Sequence, residues 1–200
     1  MTESAASTFT ILTVCTANIC RSPMAEYLLR GELDRQARLN EGFAATPIEV
    51  ASAGTHGFRI APMDPPAADQ LRRLGGDPSN FRSRPLTDRL CEQADLILTA
   101  TRQHRSFVLE RVPRALWRTF TLQEFASAVA VVRRDQPMAS DLSEVVRLAA
   151  AARGRVELDD YDIADPYSGP PEAHLLAAGT IQAAAVAIAT GLRPAGPRSP

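Results

Sequence analysis

The chain contains no lysine, and all 22 of its basic residues are arginine. Beside so much alanine, that absence reads as compositional bias of a genome rather than as a functional device. The net charge of −1 lacks the positive excess that a general nucleic-acid binder or a polybasic membrane surface needs. Three cysteines in 200 residues are too few for a disulfide framework. His56, His104 and His174 lack the spacing of metal ligands, and we read them as surface or structural residues; no metal or cofactor is expected. The opening MTESAAST carries Glu3 and neither a basic nor a long apolar region, so no signal peptide is expected. The longest apolar tract, 183–189, is far too short to cross a bilayer. These absences imply a soluble, cytoplasmic protein without nucleic-acid partners or membrane insertion. What is present, 45% hydrophobic and 22% charged residues, suits one domain with a proper core.

Along the chain, residues 1–8 are small and polar and are expected to be disordered. Residues 9–14 form an apolar run with little alternation, as in a strand buried on both faces. A helix starts at Ser22–Pro23, with Ser22 as N-cap and Pro23 in the first turn, and fades near 38–40. A second strand, 48–53, is closed by Gly54, and Pro65–Pro66 open a helix that Gly75–Gly76 stop after Leu74. A short helix over 87–93 precedes a third buried strand, 95–100, and a helix over 101–110 broken by Pro113. A fourth strand over 116–121 leads to a helix over 122–133. The looser stretch 134–157 resembles an inserted segment with one helix, 141–152, and is expected to pack on the sheet edge. Pro170–Pro171 open a last helix, ending at Gly191, whose apolar face is assigned to Leu175, Leu176, Ile181, Val186 and Ile188. Residues 192–200 are expected to be a disordered tail. Strands alternate with helices throughout 9–191, which predicts an α/β domain with a parallel sheet of about four strands. In such sheets ligands bind outside the carboxyl ends of the strands.

Cys15 sits at one of those ends. The residues CTANICR place a thiol at the first position of a short loop and an arginine six residues later, just before a helix. Backbone N–H groups of such a loop and the helix N-terminus together form an anion site. The thiolate is the nucleophilic form of cysteine, and a helix N-terminus with a nearby arginine favours it. A Cys-x5-Arg pair alone occurs often by chance in an arginine-rich chain; here a buried strand precedes it, Ser-Pro follows it, and Asn18 stands where the loop must turn sharply.

The segment CTANICRSPMAE closely resembles the active-site signature of the low-molecular-weight protein-tyrosine phosphatases. Ser52-Ala53-Gly54-Thr55 is similar to the family's segment after its second strand, and Asp165-Pro166-Tyr167 to its acid loop, in the family's order. The resemblance runs from Phe9 to about Thr190. It implies a three-layer sandwich, a central parallel four-stranded sheet flanked by helices, of the phosphotyrosine protein phosphatase I-like type. It implies a protein phosphatase in which Cys15 attacks phosphorus to give a phosphocysteine. Arg21 would hold two phosphoryl oxygens, and the backbone N–H groups of Thr16, Ala17, Asn18, Ile19, Cys20 and Ser22 would hold the remaining charge. Ser22 would also donate to the Cys15 thiolate. Asp165 would protonate the leaving phenolate and then activate water. Asp159, Asp160 and Asp162 match it in residue type, but Asp165 alone carries the Pro-Tyr. Phe58 and Tyr167 would wall the pocket for an aryl group. Cys20 is either an inert buried residue or the partner that traps oxidised Cys15 as a disulfide; Cys91 is read as core. The implied partner is a phosphotyrosine protein, with bacterial tyrosine kinases among the family's substrates.

Four positions depart from the family's pattern: Ala17 stands for a common glycine, Phe81 for a histidine, Thr101 for an aspartate, and Ser168 for a second aromatic. Three other readings share parts of the pattern. Phosphoarginine phosphatases of this fold carry threonine where this loop has the apolar Ile19. An arsenate reductase needs a relay of closely spaced cysteines, and Cys91 stands alone. A non-catalytic phosphotyrosine-binding module would have no use for Cys15, Arg21 and Asp165 together.

Overall fold

The apolar run that ends at Cys15 forms the strand β1 (Phe9–Cys15), the second position of a parallel sheet with the order β2-β1-β3-β4. The computed structural model describes residues 8–39, 47–57, 59–135 and 141–193. β2 (Ile48–Gly54) pairs with β1 along its whole length, which sets Gly54 beside Cys15. β3 (Leu96–Thr99) takes the other edge of β1, and β4 (Thr119–Thr121) pairs with β3. Successive side chains enter opposite faces of the sheet, and both faces are dry. Ile11, Leu96, Leu98 and Phe120 join an apolar cluster with α1 (Arg21–Leu39), α5 (Leu122–Asp135), α6 (Leu142–Ala151) and α7 (Pro171–Gly191). Leu12, Val14 and Ile97 join a second cluster with Cys91 of α3 (Asp88–Gln93) and Val108 of α4 (Arg102–Arg111). The result is the expected three-layer sandwich. α2 (Pro65–Arg73) packs against α7 and α1 and ends as read, with Gly75 at φ 86.

Several expected boundaries and faces move. β4 begins at Thr119 rather than 116, because Pro113–Arg118 winds into a 3-10 helix that leaves Leu116 and Trp117 exposed. α1 begins at Arg21, so Ser22 lies inside the first turn and its hydroxyl serves the loop rather than a helix cap. In α7 the buried residues are His174, Ala177, Ala178, Ile181, Ala184, Ala185, Ile188 and Ala189, whereas Leu175, Leu176 and Val186 are exposed. That buried set follows the 3.6-residue helical phase, and its small side chains let α7 lie close against α1 and α5. α7 is also long and apolar enough, at 21 residues and mean hydropathy 1.5, to pass for a membrane span by length and composition, unlike the short tract 183–189. In the fold its alanine face is part of the core.

α6 forms as read and packs on α5 and on the 3-10 segment. From the turn after it, Arg153 donates to the carbonyls of Leu116 and Thr119 at the sheet edge. Residues 136–140 of the expected insertion, most of 1–8 and most of 192–200 lie outside the described residues.

Candidate active site

Between Cys15 at the end of β1 and Arg21 at the start of α1, five residues must reverse the chain. Asn18 does so with φ 57, a left-handed conformation that asparagine tolerates. Ala17 is not in that region, so its Cβ adds no backbone strain. The neighbouring chain holds the loop by its carbonyls. Thr55 N–H donates to Cys15 O (2.9 Å), His56 N–H to Thr16 O (2.9 Å), Asp64 N–H to Ile19 O (2.9 Å) and Met24 N–H to Cys20 O (3.1 Å). In a trans peptide the next N–H points opposite to the carbonyl. The N–H groups of Thr16, Ala17, Cys20 and Arg21 therefore point away from those neighbours. Gly54 is needed for this close fit, since a Cβ there would lie 2.5 Å from Thr16 O and 2.9 Å from Ala17 C.

Arg21 is buried, and its guanidinium reaches across the site. Nη1 donates to Ile163 O (3.0 Å), while Nη2 pairs with Asp165 Oδ2 at 2.6 Å and lies 3.5 Å from Thr16 Oγ1. Nε is buried without a hydrogen-bond partner. An uncompensated buried donor costs roughly 1–3 kcal/mol. An anion seated in the loop would supply an acceptor, so the residues present fit an oxyanion. Asp165 is 49% exposed and its Oδ1 accepts from Tyr167 N–H (3.3 Å). Its loop is tied to the sheet by Ile163 N–H donating to Ala100 O (2.8 Å).

Behind the loop runs a polar chain. Arg84 N–H donates to Asn18 Oδ1 (2.9 Å), which fixes Asn18 Nδ2 as donor to Ser22 Oγ (2.9 Å) and Ser52 Oγ (2.8 Å). Ser52 Oγ in turn donates to Glu26 Oε2 (2.6 Å). With Asn18 donating to it, the Ser22 hydroxyl can give its own proton to Cys15 Sγ, 3.0 Å away, or to the more distant Ala53 O (3.4 Å). Phe81 takes no part: it is buried edge-on to Tyr27, ring centroids 6.3 Å apart.

Cys20 is buried, and burial together with Asp64 pushes its thiol well above the usual cysteine range. Cys15, Cys20 and Cys91 are all free thiols. Cys91 belongs to the second apolar cluster. Ile19 is buried at the loop's turn, and Tyr167 is exposed two residues beyond Asp165. Phe58 lies outside the described residues. Among the described residues no three His, Cys, Asp or Glu side chains cluster as metal ligands do.

His104 is the site-adjacent residue that sequence reasoning passed over. It lies in the first turn of α4, buried, with Nε2 2.9 Å from Thr16 Oγ1 and Nδ1 2.8 Å from Thr101 Oγ1. The signal was available: Thr101 and His104 follow the buried strand β3, at the same carboxyl end of the sheet as Cys15. Burial, and after it the Arg21 charge, lower the His104 pKa from 6.5 to about 4, against smaller opposing effects of Asp165 and Asp162; His56 adds to the lowering. Unfolded, this imidazole binds a proton below about pH 6.5; folded, it does so only below about pH 4. Stability therefore falls as pH drops through that window. Urea titrations at pH 7 and pH 5 should show wild type losing on the order of 1 kcal/mol more than His104→Gln.

A loop of this geometry, with its thiol at the end of a central parallel strand and a guanidinium at the following helix, defines a small cysteine-dependent phosphatase. A family model described as "Low molecular weight phosphotyrosine protein phosphatase" matches residues 10–144, and the chain belongs to that family. It is 35% identical over 119 residues to a protein-arginine-phosphatase of Bacillus subtilis, covering 58% of this chain and 72% of that protein. It is 36% identical over 115 residues to a probable low molecular weight protein-tyrosine-phosphatase, EpsP, of Ralstonia nicotianae, covering 58% and 71%. Among solved structures, the YwlE arginine phosphatase of Geobacillus stearothermophilus superposes with a TM-score of 0.67 at 28% identity, covering 92% of each chain.

Proposed function

We propose that this chain hydrolyses phosphotyrosine on proteins through a phosphocysteine at Cys15. The observation that carries the assignment of roles is the convergence on one loop of the Cys15 thiol, the buried Arg21 guanidinium with its unpartnered Nε, and the Asp165 carboxylate on Nη2. The Cys15 thiolate attacks phosphorus as the P–O bond to the phenolic oxygen breaks. Asp165 delivers the proton to that oxygen, and Arg21 with the N–H groups of residues 16–22 holds the equatorial oxygens. In the second step Asp165 takes a proton from the attacking water. The S–P bond breaks, and the Ser22 hydroxyl stabilises the departing thiolate.

Asp165 occupies Arg21 in the free protein. Incoming substrate displaces the carboxylate, which then stands at the leaving-group side. Cys20 would resolve a Cys15 sulfenic acid by forming a disulfide with loss of water. Its burial beside Asp64 makes the required thiolate costly.

The apolar Ile19 and the exposed ring of Tyr167 support an aryl phosphate. The likeness to arginine phosphatases supports phosphoarginine as the second reading. We favour a phosphotyrosine protein as substrate, with bacterial tyrosine kinases as the first to test, and the cytoplasm as the site of action. Turnover of phosphotyrosine and phosphoarginine peptides by wild type and Ile19→Thr separates the two. Wild type should prefer phosphotyrosine, and Ile19→Thr should move the ratio of kcat/KM values toward phosphoarginine by about tenfold. A wild-type preference for phosphoarginine would contradict the aryl assignment.

A further inference from the structure

We propose that His104 is a positioning residue for the phosphate loop: it holds the Thr16 hydroxyl so that its proton points to the bound phosphoryl group. The inference rests on the reading of this loop as the phosphate site, and goes beyond it by adding a side-chain donor and the residue that aims it.

One proton order along Thr101, His104 and Thr16 uses every contact that the structure places there, and it is the order proposed. Thr101 Oγ1 accepts from the His104 backbone N–H at 3.2 Å, as the cap of α4. Its other contact is His104 Nδ1, 2.8 Å away. The Thr101 O–H is assigned as donor to Nδ1, the acceptor that the structure places beside it once the oxygen has taken the backbone N–H. A neutral imidazole that accepts at Nδ1 carries its proton on Nε2. Nε2–H then donates to Thr16 Oγ1 at 2.9 Å. Thr16 Oγ1 also faces Arg21 Nη2 at 3.5 Å, another donor.

With donors on two sides, the Thr16 proton is turned toward the open side of the loop, where the phosphoryl group would sit. Arg21 Nη2, which faces Thr16 Oγ1, also holds Asp165 Oδ2 at 2.6 Å, so an anion on this guanidinium lies on the same side of the loop. A phosphoryl oxygen takes that position when substrate binds. Thr16 is exposed while His104 behind it is buried, so the imidazole aims the hydroxyl without itself meeting substrate. The lowered pKa keeps His104 neutral at physiological pH, as this proton order requires. A threonine where the family's pattern has aspartate suits the same order: an aspartate would accept a proton from Nδ1–H and reverse the chain.

The test is a double-mutant cycle on the full chain with Thr16→Val, His104→Leu and the pair, together with His104→Gln. The readouts are kcat/KM on p-nitrophenyl phosphate, competitive inhibition by inorganic phosphate, and the 15N shifts of the His104 ring. Each single variant should lower kcat/KM and phosphate affinity by about tenfold, the loss of one charge-assisted hydrogen bond. The pair should be no worse than Thr16→Val alone. His104→Gln, whose amide can still donate to Thr16, should recover to within about threefold of wild type. The ring shifts should show the proton on Nε2. Multiplying losses in the pair, unchanged kinetics in Thr16→Val, or a proton on Nδ1 would each overturn the proposal. Thr16→Val and the ring shifts leave the buried position intact, so they decide even where His104→Leu does not fold. Failure of the phosphatase reading is distinguishable, because wild type itself would then not turn over the aryl phosphate.

Discussion

Cys15→Ser should leave the fold intact and lower hydrolysis of p-nitrophenyl phosphate by on the order of ten-thousandfold or more. The exchange replaces one sulfur by oxygen at the end of β1 and takes nothing from the sheet register that holds it. The serine hydroxyl has to lose its proton to attack. The hydroxyl in contact with this position, that of Ser22, is a donor in the arrangement described and no base. Arg21 and the loop N–H groups remain, so binding should survive the loss of chemistry. Inorganic phosphate titrated into Cys15→Ser should bind with an affinity within about tenfold of that for wild type. Loss of both binding and turnover would mean that the variant loop had collapsed, which thermal melting checks directly.

Asp165→Asn should lower turnover by about a hundredfold to ten-thousandfold on phenyl phosphate, the range of general acid catalysis. The loss should be much smaller on p-nitrophenyl phosphate, whose leaving group needs little protonation. The ground state carries a second signature of opposite sign. In the free protein the Asp165 carboxylate sits 2.6 Å from Arg21 Nη2 and competes with any anion for it. Asparagine removes that competing charge, so inorganic phosphate should bind Asp165→Asn more tightly than wild type. The gain is modest, since Asp165 is half-exposed and its pair with Arg21 is screened by solvent. A variant with lower turnover and weaker phosphate binding would place Asp165 in loop stability rather than proton transfer.

Elements whose formation is decided locally were legible in the sequence. The buried run of β1, the turn at Asn18 and the Ser-Pro helix start made the strand–loop–helix readable, and alternation of strands with helices gave the parallel sheet. Asp165 could be chosen over three neighbouring aspartates only by its Pro-Tyr context. Its contact with Arg21 spans most of the chain and is set by the packing of the loop before α7. Side-chain size misled at α7, where helical phase buried alanines and turned Leu175 and Leu176 outward. β4 started late because Pro113 and the residues after it could wind into a 3-10 helix as readily as extend. Ser22 lost its reading as a cap because the chain is already helical at Arg21, and its hydroxyl meets the thiol instead. His104 had no motif of its own; its meaning came from β3 and β1 being neighbours, which brings the start of α4 against Thr16.

The central claim is a covalent phosphoryl group on Cys15. Rapid acid quench of the enzyme during turnover of p-nitrophenyl phosphate, followed by mass spectrometry of the peptide carrying CTANICR, reads it directly. The account predicts phosphate on Cys15 in wild type, at up to one group per chain, and none in Cys15→Ser. Full turnover with no phosphopeptide, or phosphate on any other residue, would contradict it.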